Sequence, residues 1–119
     1  MKKIFIALVF SFASLFAAEH LTIDNFEDKI EGKNVIVDFY ATWCPPCKIM
    51  SKNLEKFEKE NTSDVIVYKV DVDDQPILAS RFAIKTIPTL VYFKNGKFVK
   101  KDVGIRTVSQ LKLDTKNSF

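Results

Sequence analysis

Val35-Ile36-Val37-Asp38-Phe39-Tyr40, followed by Ala41-Thr42-Trp43-Cys44-Pro45-Pro46-Cys47 and then Lys48-Ile49-Met50, is the stretch that decides how this chain folds. The near-continuous apolar run 35–40 reads as a strand buried on both faces, at the centre of a sheet. From Ile49 to Glu60 the pattern is helical. Cys44 and Cys47, the only cysteines, stand where strand hands over to helix. Two residues between them put the sulfurs one turn apart if Cys44 begins the helix. The unpaired N–H groups and positive dipole end at that point favour a thiolate. A thiolate attacks disulfides, and the neighbouring thiol resolves the mixed disulfide that results.

Pro45 and Pro46 both suit a first helical turn, where an N–H would have no intrahelical partner. They stiffen the link between the sulfurs but offer Cys44 no donor, which leaves the N–H and thiol of Cys47. Three other readings stay open on the residues alone. A structural disulfide closing so short a loop would stabilise little. A metal site needs about four ligands, against two cysteines and one histidine here. Two inert thiols are the third. The strand-then-helix context favours redox chemistry. Asp38 is the anomaly of its strand, because a charge inside such a run is costly unless paired or neutralised by a raised pKa.

The chain has 119 residues, 47% hydrophobic and 28% charged, which suits one globular domain. Its formal charge of +3 is mild, and Lys and Arg mix with Asp and Glu along the sequence, so no basic stripe argues for nucleic acid. Residues 1–18 stand apart. Lys2 and Lys3 precede an uncharged run from Ile4 to Phe16, then Ala17 and Ala18. This is the layout of a secretory signal peptide, and the run is short of the roughly 20 residues of a membrane span. Cutting after Ala17 or Ala18 leaves Leu15 or Phe16 at the third position back, so an uncleaved anchor stays open as the alternative. The domain is then 19–119, with a formal charge of +1. Its expected location is periplasmic or secreted, an oxidising compartment in which an exposed cysteine pair cycles.

In order, the domain reads as a short strand from Glu19 to Ile23, then a helix from about Asn25 to Glu31 capped by Asp24 and ended by Gly32. The strand 35–40 follows, then a helix with Ile49, Met50, Leu54 and Phe57 inward. Val65 to Val72 is a second buried strand, with Lys69 inside it. Asp73-Asp74-Gln75-Pro76 starts a helix with Ile77, Leu78 and Phe82 apolar. Leu90 to Phe93 is a strand, joined through Asn95-Gly96, a strong hairpin signal, to Phe98–Val103. Thr107 or Ser109 caps a last, short helix with Val108 and Leu111 inward. The tail 114–119 shows no periodicity. This order predicts a mixed central sheet with helices on both faces.

Trp43–Cys47, joined to Val35–Phe39 before and Thr86–Thr89 after, resembles the thioredoxin family over nearly all of residues 20–113. Asp38 matches that family's buried acid, Lys69 the lysine near it, and Pro88 after Ile87 the cis-proline facing the disulfide. Phe93-Lys94-Asn95-Gly96 and Val103-Gly104 match its hairpin and substrate groove. The resemblance implies a thioredoxin-like α/β fold, a mixed sheet of about five strands with about four helices. It implies Cys44 as attacking thiol, Cys47 as resolving thiol, and Asp38 as proton acceptor, supported by Trp43, Pro45, Pro46, Lys69 and Pro88. It also implies a docking surface of Thr86, Ile87, Pro88, Val103 and Gly104.

The chain departs from the commonest pattern at Pro45 (usually glycine), Lys52 (usually a helix-kinking proline), Tyr40 (usually tryptophan) and in its last helix. With the leader, the resemblance points to exported relatives that carry electrons to protein disulfides or apocytochrome thiols. The expectation is a monomeric protein-disulfide reductase fed by a membrane-embedded donor. It needs no cofactor beyond the cysteine pair, no metal and no nucleic acid. The reducing direction follows from an uncharged Pro45-Pro46 pair, from a histidine far away at position 20, and from Asp38, which disfavours a second negative charge nearby. A disulfide donor and a non-redox binding module using the groove around Trp43 and Pro88 are the alternatives.

Overall fold

The computed structural model describes residues 18–119. The expected leader therefore lies outside the described residues, apart from Ala18. Five strands form one sheet: β1 Glu19–His20, β2 Asn34–Tyr40, β3 Ile66–Asp71, β4 Thr89–Lys94 and β5 Lys97–Val103, in spatial order β1-β3-β2-β4-β5. β1, β3 and β2 run parallel, and β4 and β5 are antiparallel to their neighbours. Four helices complete the domain: α1 Phe26–Ile30, α2 Pro45–Glu60, α3 Pro76–Arg81 and α4 Val108–Ser118. The thioredoxin-like mixed sheet expected from the sequence is present. Among the described residues no helix is long and apolar enough to cross a membrane.

Side-chain alternation along β2 divides the core in two. Val35, Val37 and Phe39 join Phe26 and Ile30 of α1 and Leu78 of α3 in one cluster. Ile36 joins Met50, Leu54 and Phe57 of α2 and Leu111 of α4 in the other. Asp38, two residues beyond Ile36, therefore belongs to the α2 face. The β4–β5 hairpin turns through Asn95 and Gly96, with φ of 52° and 76°. Two successive positive φ values are what a tight turn matched to the strand twist requires.

Several expected boundaries differ. β1 is two residues long instead of five, because side chains take its backbone donors. Thr22 N donates to Asn25 Oδ1 and Ile23 N to Gln75 Oε1, each within 2.9 Å. Asn25, not Asp24, is the residue at the start of α1. In α2 the buried stripe is Cys47, Met50, Leu54 and Phe57, and Ile49 lies one position off it, 51% exposed. Ile77 is likewise exposed. The last helix is eleven residues long and includes the tail that showed no pattern. Thr107 caps it through a reciprocal pair of hydrogen bonds with Gln110. Tertiary contacts hold the rest: Asp114 pairs with Lys100 and Arg106, and Lys112 pairs with Glu60 of α2.

Candidate active site

Cys44 is the N-cap of α2, with extended backbone (φ −96°, ψ 108°), and Pro45 and Pro46 fill the first helical positions. β2 ends at Tyr40, so three residues, Ala41 to Trp43, carry the chain from the sheet centre to this cap. Cys47 N donates to Cys44 Sγ at 3.2 Å, and the two sulfurs are joined in a disulfide. The prolines leave that N–H as the near donor to Cys44 Sγ within this turn, as the sequence suggested. Both cysteines are 3% exposed in this disulfide form. The reason is packing: Ala41, Cys44 and Cys47 form a small cluster covered by Tyr40, Val72 and Ile87.

Of the expected docking residues, Ile87 packs against that cluster. The Ile87–Pro88 bond is cis. Gly104 N donates to Pro88 O at 2.8 Å, which ties the Thr86–Pro88 loop to the end of β5. Thr89 pairs with Val103 across the hairpin. Gly104 has φ of 95°, a conformation that a side chain would strain. Trp43 is 67% exposed, and its Nε1 donates to Asp73 Oδ2 at 2.8 Å.

Beneath the cap, Asp38 is fully buried and neither carboxylate oxygen has a hydrogen-bond partner among the described residues. Burial pushes its pKa up to about 7, against the opposing pull of the Lys69 charge. The two residues are aligned across β2 and β3. Lys69 does not pair with Asp38 directly. Its ammonium donates to Ser51 Oγ at 2.6 Å and lies 5.5 Å from the centroid of the Tyr40 ring. Asp38 thus feels Lys69 through space rather than through a shared proton.

Three contacts here escaped the sequence reading. Ser51 sits on α2 between buried Met50 and exposed Lys52, where nothing marks it as a partner for a lysine 18 residues away. Asp73 looked like the start of α3, yet it orients Trp43. The single histidine, His20, hydrogen-bonds the Tyr40 hydroxyl at 2.6 Å from the sheet edge. None of the three has a local signal, since each depends on which strands lie side by side.

The family model described as Thioredoxin matches residues 17–117. A thioredoxin of Alicyclobacillus acidocaldarius is 45% identical over 92 residues, spanning 76% of this chain and 88% of that protein. A thioredoxin of Chlamydia caviae is 40% identical over 91 residues, with the same coverage of 76% and 88%. Among solved structures, oxidised mitochondrial thioredoxin 3 of Saccharomyces cerevisiae superposes with a TM-score of 0.76 at 33% identity, covering 84% of this chain and 94% of that one.

Proposed function

Because the chain belongs to the thioredoxin family and is a thiol-disulfide oxidoreductase built on Cys44 and Cys47, we propose that it works outside the cytoplasm as a reductant of partner-protein disulfides. The observation that carries this reading is the pair of sulfurs at the N-terminus of α2, with Asp38, unpartnered among the described residues, buried on the same face of the sheet.

The Cys44 thiolate attacks one sulfur of the substrate disulfide. That S–S bond breaks, one substrate thiolate leaves and takes up a proton, and Cys44 is joined to the other half. Cys47 then gives up its proton and attacks Cys44 Sγ. The mixed disulfide breaks, the second substrate thiol is released, and the Cys44–Cys47 bond forms. Two electrons have passed from the protein to the substrate, and the two product thiols carry one proton equivalent from Cys47 and one from solvent. Asp38, with a pKa near 7, is matched to accept the Cys47 proton at neutral pH, directly or through water. Trp43, Thr86, Ile87, Pro88, Val103 and Gly104 form the surface on which the substrate strand lies. Lys69 moderates the basicity of Asp38.

The reducing direction is supported by what flanks the sulfurs. Pro45 and Pro46 carry neither charge nor N–H, so the reduced thiolate gains little extra stabilisation from them. The leader at 1–18 supports export, which places the substrates among disulfide-containing proteins or apocytochrome thiols. A donor embedded in the membrane would return the pair to its reduced state, and the domain acts as a monomer without a further cofactor.

The test is the equilibrium potential of the pair against glutathione, together with insulin reduction driven by dithiothreitol. The expected potential lies in the reducing half of the interval between about −270 mV for thioredoxin and −120 mV for the strong oxidant DsbA, a scale taken from those proteins. A value near −120 mV would make the chain a disulfide donor instead. Cys47→Ser should accumulate mixed disulfides through Cys44, and Cys44→Ser should not. Residues 1–18 fused to an export reporter test the location.

A further inference from the structure

Helix geometry gathers lysines that look scattered in the sequence. From Cys44, steps of four residues along α2 reach Lys48, Lys52 and Lys56, which makes one ridge of the helix surface. Lys48 N donates to Cys44 O at 3.3 Å, so the ridge is continuous with the nucleophile. Lys59 falls on the same face, and all four lysines are exposed. Glu55 and Glu60 are the acids beside them. Lys48, Lys52 and Lys56 form no ion pair among the described residues, and Glu60, which ends the ridge one step beyond Lys56, is taken by Lys112. On the other side of the cysteines the sign reverses. Asp73 and Asp74 are exposed, and Asp73 is held against Trp43.

We propose that this cationic ridge is the docking surface for an acidic segment of the substrate protein, one that carries carboxylates about two and four residues from the half-cystine that Cys44 attacks. The proposal rests on the reductase reading above and names the chemistry of its substrate. The spacing follows from geometry. Lys48 and Lys52 lie about 6 and 12 Å from Cys44 along the helix axis, and an extended chain advances roughly 3.3 Å per residue. A flat anionic surface such as a membrane fits less well, because it would meet Asp73 and Asp74 at the same time as the lysines. A strand laid along α2 avoids them. Exposed charges of this kind act on encounter rate and choice of partner more than on bound-state affinity.

The test uses disulfide-linked homodimers of a short peptide with Glu two and four residues from its cysteine. One version carries them on the N-terminal side and one on the C-terminal side, each with Gln and Lys counterparts. Second-order rates with the reduced protein are read from the emission of Trp43, the only tryptophan. At low ionic strength at least one Glu peptide should react on the order of three- to tenfold faster than its Gln counterpart. Near 0.5 M salt that advantage should fall below about twofold. The Glu-to-Gln rate ratio should drop to about one in K48Q/K52Q, and in K48E/K52E the Lys peptide should overtake. Equal rates for Glu and Gln peptides, or a ratio that survives in both variants, would overturn the proposal. So would binding to phosphatidylglycerol vesicles through Lys48 and Lys52 without any Glu preference. The neutral 2-hydroxyethyl disulfide separates the two levels. If wild type fails to reduce it, the reductase reading falls and takes this proposal with it. If it is reduced and the Glu preference is missing, only the docking surface is wrong.

Discussion

Under α1 and α3, the sheet meets Phe26, Phe82 and Phe93 in mutual ring contact, with Phe39 against Phe82, at centroid distances of 5.2–5.9 Å. Under α2 and α4, it meets Asp38, Lys69, Ser51 and Tyr92 set among aliphatic residues. The buried side-chain oxygens without a partner among the described residues, on Asp38, Tyr92 and Thr115, belong to this second side, as does Asp102, whose Oδ2 is ion-paired with Lys100 at 3.1 Å. Burial pushes both the Asp38 carboxyl and the Tyr92 phenol above their usual ranges. The aromatic face has no such groups, and its role is to hold the strands in place. Asp38 and Tyr92 are buried deeply enough on the polar face that a single charge has a large effect on its neighbours. The disulfide sits at the end of that face, where a responsive acid has a use.

The division can be broken from either side. Phe26→Ala should cost the most, about 4 kcal/mol, because it empties a buried aromatic site. Urea unfolding measures the loss, and the reduction potential of the cysteine pair should stay where it was. A shifted potential would mean the two faces are not independent.

Asp38→Asn should have the next largest effect, in the opposite direction. The folded protein holds the Asp38 proton between about pH 4 and 7, where the unfolded chain has released it. This group's stabilising contribution is therefore full below its unfolded pKa, falls through that window and levels off above about 7. The raised pKa corresponds to roughly 4 kcal/mol. An unpaired amide would cost part of the gain, leaving the variant about 2–3 kcal/mol more stable at pH 8. At pH 4, where the wild-type carboxyl is neutral, only the amide penalty remains and the variant should be about 1–2 kcal/mol less stable. Denaturation of the oxidised forms at the two pH values checks the sign, and insulin reduction near neutral pH should slow. If turnover is unchanged from pH 6 to 9, Asp38 is a structural acid only.

Lys69→Gln sharpens the comparison further. Its charge is what opposes burial at Asp38, so the pH midpoint of turnover should rise by up to about one unit, roughly 1 kcal/mol. Ser51→Ala should move it the same way by less, because Ser51 Oγ anchors the ammonium. Thr107→Ala, which removes the cap of α4, should cost about 1 kcal/mol or less and leave that midpoint alone. A joint shift in the Thr107 variant would show that α4 helps hold the acid in place.

What could be read without coordinates was local. The β2 run, the proline-flanked cysteines, the buried stripe of α2 apart from Ile49, and Asn95-Gly96 each carry their signal within a few residues, through strand period, cap chemistry and turn preference. Even Asp38 was visible, as one charge in an apolar run. α4 was underestimated because its tail has no apolar repeat. Thr115 is buried and Asp114 is paired only because β5 and the Arg106 loop come up against that helix. Ile49 was misplaced by one position, which is 100° on a helix and enough to turn a side chain from core to solvent.

The sequence by itself determined the order of elements and the chemistry of Cys44 and Cys47, because helix caps, turns and side-chain alternation act between neighbours in the chain. Only the tertiary structure decided the strand order β1-β3-β2-β4-β5, the Ser51–Lys69 and Trp43–Asp73 contacts, and the lysine ridge beside the nucleophile. The Ser51–Lys69 and Trp43–Asp73 contacts join residues 18 and 30 positions apart, and no local preference specifies such a pairing until the chain has closed on itself.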